Sequence, residues 1–241
     1  MLKIRVTNNG KALSRQAADL IFAELERRPD MLFCASAGRT PTETYRRLAA
    51  LRKQRPKPFI KMRVLQIDEW GGVSPGNAAS CHTDLTENLL KPLGIERNRF
   101  CGFRGDAPDE RAECRRVARW LQRNGPIDLC LLGLGANGHL ALNEPGEALN
   151  PHAHVARLAE SSRNHSMLTG LKSKPRLGLT LGMADILASR KILLLVSGTH
   201  KRPALKRALQ SRVTTRFPAS FLWLHPDVTV ICDRPAAGGR D

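Results

Sequence analysis

Aromatic residues are scarce in this chain of 241 residues: they make up 5%, with a single tyrosine. That leaves little material for the stacking platforms on which single-stranded nucleic acids are bound. Acidic residues are short as well, 22 Asp and Glu against 39 Lys and Arg, for a net charge of +17. Such an excess suits either a nucleic-acid binder, through counterion release, or an enzyme with a solvated basic surface and an anionic substrate. The basic residues are scattered, as in Arg46-Arg47, Arg115-Arg116 and Lys201-Arg202, rather than gathered in one run. Nucleic acid is therefore set aside as a partner. No apolar run approaches the ~18 residues of a membrane helix. Met1–Arg5 lacks the apolar stretch of a secretory signal. Six cysteines are present, widely spaced and without a C-x-x-C pair, so no disulfide framework or metal site is expected. The expected setting is a reducing cytoplasm. Repeats, low-complexity tracts and convincing linkers are missing too, and the length suits one domain over residues 1–241.

What is present is an alternation. Short apolar runs at Met31–Ala35, Val64–Ile67, Ile127–Leu132, Lys191–Val196 and Val228–Cys232 read as strands. Between them, Ala12–Arg28, Thr42–Arg52, Asp84–Leu90, Asp109–Arg123 and Lys201–Leu209 carry helical spacing, as in Ala18, Ile21, Phe22 and Leu25. The pattern predicts an α/β fold: an open, mostly parallel, doubly wound sheet with helices on both faces. Lys53–Lys61 reads as a surface connection and Arg234–Asp241 as a frayed tail. In such a sheet ligands bind beyond the carboxyl ends of the strands, so the loops there are where chemistry is expected.

Four loops qualify. Ser36-Ala37-Gly38-Arg39-Thr40-Pro41 offers small residues, hydroxyls and a helix start to an anion; it also reads as a plain turn with Thr40 as N-cap and Pro41 opening the helix. Asp68-Glu69 sits at a strand end, where adjacent side chains point to opposite sides. One carboxylate can face a pocket as general base, or both can cap loop amides. Gly133-Leu134-Gly135-Ala136-Asn137-Gly138-His139 matches G-x-G-x-x-G after a strand, with Glu160 downstream, which raises a nicotinamide-dependent enzyme. Pro145-Gly146 would cut the required helix short, and a histidine and a glutamate on one loop, His139 and Glu144, instead suggest acid–base work. In Ser197-Gly198-Thr199-His200-Lys201, Lys201 could place an ammonium on a phosphate or be one more surface lysine. His152-x-His154 lacks a third ligand nearby and reads as ordinary surface histidines.

At these loops the sequence resembles the glucosamine-6-phosphate deaminase family, which also includes 6-phosphogluconolactonases. The resemblance runs from Arg15 to Asp233 and is most specific over Gly133–Gly146, GLGANGHLALNEPG, whose Asn-Glu-Pro-Gly ending favours the deaminase branch. IDEW at Ile67–Trp70, LGLTLGMADIL at Leu177–Leu187 and PASFLWLHPDVTVICD at Pro218–Asp233 support it. The Trp of IDEW and the Pro218–His225 run look closest to galactosamine-6-phosphate isomerases. The resemblance implies a cofactor-free and metal-free isomerisation and deamination of a hexosamine 6-phosphate to a ketohexose 6-phosphate and ammonia. Lactone hydrolysis and non-catalytic sugar-phosphate binding are the alternatives, and a homo-oligomer is compatible with it. It implies that Ser36, Gly38, Arg39, Thr40 and Lys201 hold the phosphate. His139 with Glu144 would open the ring, and Asp68 would move a proton between C2 and C1. Asn137 stands where some members carry Asp. Leu168 falls near a position where many carry a phosphate-binding Arg, leaving Arg39 or Arg163 to compensate.

Overall fold

The structure, a computed structural model, describes residues 2–239. Its ten strands are β1 (Lys3–Thr7), β2 (Leu32–Ala35), β3 (Arg63–Gln66), β4 (Asp68–Trp70), β5 (Phe100–Cys101), β6 (Leu129–Gly133), β7 (His154–Arg157), β8 (Leu177–Thr180), β9 (Lys191–Val196) and β10 (Val228–Asp233). The helices are α1 (Gly10–Arg27), α2 (Arg39–Gln54), α3 (Cys81–Leu85), α4 (Lys91–Leu93), α5 (Glu110–Asn124), α6 (Glu160–Arg163), α7 (Met183–Leu187), α8 (Arg202–Ala208) and α9 (Arg234–Ala237). Seven strands form one sheet in the order β1-β10-β9-β6-β2-β3-β5, every pair parallel. The expected doubly wound architecture is what the chain adopts.

Alternation along the central strands divides the core in two. Leu32, Cys34, Cys130, Leu132, Leu194 and Val196 face one side, with Val117 of α5 and Leu205 of α8. Phe33, Ala35, Leu129, Leu131, Leu193 and Leu195 face the other, under α1 and α2. Strands buried on both faces must be apolar at every position, which is why these runs stand out in the sequence. The six cysteines are free and buried, consistent with their use as small hydrophobes. Among the described residues no helix is long and apolar enough to cross a membrane.

From β2 the chain steps outward through β3 and β5, and from β6 it steps the other way through β9 and β10. The order therefore reverses between β2 and β6, whose register pairs Cys34 with Cys130. Loops leaving two such strands part to opposite faces and open a crevice at their carboxyl ends. Here those loops are Ser36–Pro41 and Gly133–Gly138, two of the four singled out above. A second, antiparallel sheet of order β4-β8-β7 sits beside the crevice. It places Asp68 opposite Thr180 and covers a small core of Trp70, Cys81, Leu142 and Leu168.

Three local expectations are corrected. Lys53–Lys61 is more than a connection: after α2 a single 3-10 turn, Lys57–Phe59, buries Phe59 against Phe22 with ring centroids 5.7 Å apart. Arg234–Ala237 of the supposed tail is helical, because the Asp233 carboxylate accepts the Ala236 amide at 2.9 Å; residues 240 and 241 lie outside the described residues. Beyond Leu85 the Asp84–Leu90 segment is a π turn, Thr86–Leu90, rather than regular α-helix.

Candidate active site

The crevice is a cleft of ≈ 200 Å³ lined by Ser36, Gly38, Arg39, Thr40, Asp68, His139 and Lys201, among others. The start of α2 forms part of its wall. Gly38, not Thr40, occupies its N-cap, at φ 107°, and no side chain caps the helix. A backbone in that region favours glycine. The turn is held from behind. Asp84 accepts the Gly38 amide at 3.0 Å and is itself fixed by the Asn88 amide at 3.0 Å. The Tyr45 hydroxyl donates to the Ser36 carbonyl at 2.6 Å, and Thr42 donates to the Gly38 carbonyl at 2.8 Å. The first amides of α2, Arg39 and Thr40, are thus left uncapped beside the cleft, with the positive end of the helix dipole behind them. Lys201 lines the same cleft from the turn after β9. That turn is folded around Asp233, which accepts from the Gly198 amide at 3.0 Å and from the Ser197 hydroxyl. Asp233 is therefore spent on the turn. Among the described residues Lys201 has no carboxylate partner within ion-pair distance, and burial pulls its pKa below the usual lysine value. An uncapped helix start facing an unpaired, partly desolvated ammonium is an anion site.

The paired carboxylates divide their roles as strand geometry requires. Glu69 is fully buried and accepts hydrogen bonds from the Trp70, Cys81 and His82 amides, the Ser80 hydroxyl and the Gln66 amide, at 2.8–3.1 Å. It pins the start of α3. Asp68 is left to the cleft. Burial against the cleft walls, with the Glu69 charge added, pushes its pKa up to about 7, and the Cys81 thiol offsets part of this. A carboxyl titrating near neutrality exchanges protons in either direction at working pH.

The glycine loop opens no helix. It turns back on itself, with the Gly135 amide on the His139 carbonyl at 3.0 Å and the Gly138 amide on the Gly135 carbonyl at 3.0 Å. A fingerprint without a helix N-terminus cannot seat a pyrophosphate, so the nicotinamide reading falls. The glycines serve tightness instead. A β-carbon on Gly135 would lie 2.5 Å from the His139 ring, and one on Gly138 would lie 2.2 Å from the Phe217 ring. The loop sets His139 with Nδ1 3.4 Å from a Glu144 carboxylate oxygen and 3.3 Å from the Ser162 hydroxyl. Asn137 bridges the pair: its side-chain oxygen accepts the His139 amide at 3.1 Å and its NH2 donates to Glu144 at 2.9 Å. Burial works against the Glu144 charge, but the hydrogen bond and charge of His139, with Ser162 and Asn137, hold its pKa at about 2. Asn137 and Glu144 stand behind His139 and do not line the cleft. With Nδ1 engaged, Nε2 is the ring nitrogen left for a substrate. Ala141, at φ 51°, is the one non-glycine in the left-handed region among the described residues, and it lines the cleft.

A fifth segment of the cleft gives no signal in the sequence. The connection from β7 to β8 crosses the cleft and brings Ser161, Ser162, His165 and Met167 to it. Its polar stretch has no period of two or 3.6 that would announce a face. Leu168 is 1% exposed and packs in the small core under the connection, so it presents nothing to an anion. Arg163, a suggested compensation, is not among the lining residues, whereas Arg39 is. His152 bonds Asp185 at 2.9 Å and His154 bonds the His152 carbonyl at 2.9 Å. No group of three metal-ligating side chains occurs among the described residues.

The sequence model described as "Glucosamine-6-phosphate isomerases/6-phosphogluconolactonase" matches residues 8–231. AgaI of Escherichia coli (strain K12), provisionally named a deaminase, is 38% identical over 92% of this chain and 88% of its own. Glucosamine-6-phosphate deaminase of Geobacillus sp. (strain WCH70) is 36% identical over 98% of this chain and 94% of its own. A solved monomeric glucosamine-6-phosphate deaminase superposes with a TM-score of 0.94 at 34% identity, over 99% of this chain and 100% of that one. A 6-phosphogluconolactonase from Trypanosoma brucei shares the fold, with a TM-score of 0.75 at 23% identity. The chain belongs to the glucosamine-6-phosphate isomerase/6-phosphogluconolactonase family.

Proposed function

We propose that this protein is a hexosamine-6-phosphate deaminase, one domain acting in the cytoplasm, that converts galactosamine or glucosamine 6-phosphate to the ketohexose 6-phosphate and ammonia. The observation that carries the reading is what one cleft brings together: an anion site, a carboxyl that titrates near neutrality and a carboxylate-backed histidine. The phosphate sits on the amides of Arg39 and Thr40, the Ser36 loop and Lys201. Held there, the sugar meets His139, which moves a proton between the anomeric hydroxyl and the ring oxygen and so opens the pyranose. Glu144 stabilises the imidazolium formed on the way, and Asn137 fixes both. In the open aldehyde the C2–H is acidified by the neighbouring carbonyl. Asp68 removes that proton while the carbonyl oxygen takes one from the substrate ammonium, giving an enolamine, and Asp68 returns its proton to C1, leaving C1 as a CH2OH group and C2 as an iminium. Water adds at C2 and ammonia departs, so one water is consumed per turnover. Positioning and proton transfer suffice for these steps. Every group named comes from one chain. The test is ammonia release from galactosamine 6-phosphate and glucosamine 6-phosphate side by side with purified protein. Release from either supports the reading, and the ratio of kcat/KM assigns the C4 epimer. Silence with both, together with hydrolysis of 6-phosphogluconolactone, would replace it with the lactonase reading.

A further inference from the structure

The anion site of the cleft carries a side chain that the reading above does not use. His165, on the β7–β8 connection, lines the cleft together with Gly38, Arg39, Thr40 and Lys201. Its ring lies against Trp70, centroid to centroid 5.7 Å, and its Cε1 is 3.8 Å from where a β-carbon on Gly38 would stand. The imidazole therefore hangs across the cap of α2. Its Nδ1 accepts the Met167 amide at 3.3 Å. That bond puts the proton of the neutral ring on Nε2, the nitrogen that has no partner among the described residues.

We propose that His165 is a further phosphate-binding residue, closing from the β7–β8 side, by donation from Nε2, on the anion held by the α2 amides and Lys201. The inference rests on the sugar-phosphate reading of this cleft. Leu168 is buried and Arg163 lies off the cleft, so His165 is the titratable side chain that this connection brings to the cleft. The charges around it make its grip proton-dependent. His139 from the glycine loop, Lys201 from the turn after β9 and Asp84 from α3 act on it, and Arg39 and Asp68 share the cleft. Burial first, then His139 when protonated and the Lys201 ammonium, hold its pKa below the usual histidine value, with Asp84 opposing. A bound dianion reverses the balance, since it offsets the Lys201 charge and adds an opposite charge beside the ring. Binding is then accompanied by proton uptake at His165, and affinity weakens as pH rises past the pH at which the free ring loses its proton.

The experiment follows the Cε1–H resonance of His165, identified by its loss in His165→Gln, in pH titrations of the whole protein with and without inorganic sulfate. Sulfate stays dianionic throughout and so does not titrate alongside the histidine. Sulfate should raise the proton affinity of His165 about tenfold. Relative to wild type, fructose 6-phosphate should bind His165→Gln roughly tenfold more weakly at a pH below the His165 midpoint measured with sulfate, and less than about threefold more weakly at a pH above it. A His165 titration unmoved by sulfate, under conditions where Lys201→Ala lowers sulfate affinity, overturns the proposal. So does an unchanged fructose 6-phosphate affinity at both pH values. A shifted His165 in a protein that releases no ammonia would support the phosphate contact and sink the deaminase reading. An unshifted one in an active deaminase would do the opposite.

Discussion

The rim of the parallel sheet and the β7–β8 connection both line the cleft, but they are held in different ways. Each rim loop follows a strand buried at all but at most one end residue and is locked within a few residues. Gly38 is tied by Asp84, the glycine loop is closed on itself and wedged against Phe217, and Ser197-Gly198 is folded around Asp233. The connection instead leans on the rim. The Ala159 amide reaches Glu144 at 3.3 Å, Ser162 reaches His139 at 3.3 Å, and His165 lies on Trp70. A preorganised rim can hold charges where protons move without reorganising at each turnover. The connection closes short turns of its own, with the His165 amide on the Ser162 carbonyl at 3.1 Å and the Leu168 amide on the His165 carbonyl at 3.0 Å; it adds contacts to a substrate and excludes water without itself carrying the reacting groups. Substitutions at reacting groups on the rim should therefore cost orders of magnitude, and those on the connection far less.

The sharpest form of that contrast is Asp68→Asn. Loss of a general base typically costs 10²–10⁴-fold, and kcat for ammonia release should fall by about 10³ with KM little changed. Stability should move the opposite way. The native carboxyl titrates at about 7, against roughly 3.9 in the unfolded chain. The folded state thus holds a proton that the unfolded state releases, and wild-type stability declines as pH rises from about 4 to about 7. Asn carries no such cost. The variant should melt higher than wild type at pH 8 and alike at pH 4. A variant that retains near-normal turnover would remove Asp68 from the mechanism, and one no more stable at pH 8 would remove the strain at the rim.

Glu144→Gln tests the layer behind the cleft and should cost less, about thirtyfold in kcat, because His139 keeps its place but loses the charge behind it. The sign of the pH effect is reversed here. Glu144 is held at about 2 in the fold and near 4.3 unfolded. The stability it lends is therefore complete above about pH 4.3 and disappears as pH falls toward 2. The glutamine variant should be less stable than wild type at pH 7, and the two should converge in acid. Equal thermal stability at pH 7 would mean that the histidine–glutamate pair is not charge-coupled.

The same contrast explains what could be read from residues alone. β2, β3, β6, β9 and β10 are strands buried on both faces, so burial writes nearly continuous apolar runs at those positions, broken only by residues such as Gln66 and Thr229, and those runs mark the loops that follow. Edge and short strands leave no such mark. Lys3–Thr7 is exposed along most of its length, and β4 and β8 are strands because they pair with each other across more than a hundred residues. Thr40 has the composition of an N-cap, yet Gly38 takes that place, its amide held by Asp84 from 46 positions away. Glu69 and Asp68 could be divided by strand alternation, but which of them faces the cleft depends on the distant amides of Cys81 and His82. Ser162 and His165 gave no signal at all. Their side chains matter by where two antiparallel strands carry them, and a polar stretch without a period does not encode that.

Ser162→Ala is the smallest expected effect and the one best able to break the comparison. The hydroxyl is 3.3 Å from His139 Nδ1, a position it shares with the Glu144 carboxylate at 3.4 Å. Removing one of two partners leaves the imidazole oriented by the other, by the backbone bond to Asn137 and by the tight glycines beneath it. A neutral hydrogen bond contributes about 1 kcal/mol, so kcat should fall roughly fivefold at most, with KM unchanged. The pH profile discriminates further. If Ser162 only touches His139, the limbs of the kcat profile keep their positions and the height drops. If the connection sets the protonation of the pair, the limb belonging to His139 shifts as well. A loss approaching that of Asp68→Asn would mean that the connection orients the reacting groups, and the division between a rigid rim and a leaning cover would fail.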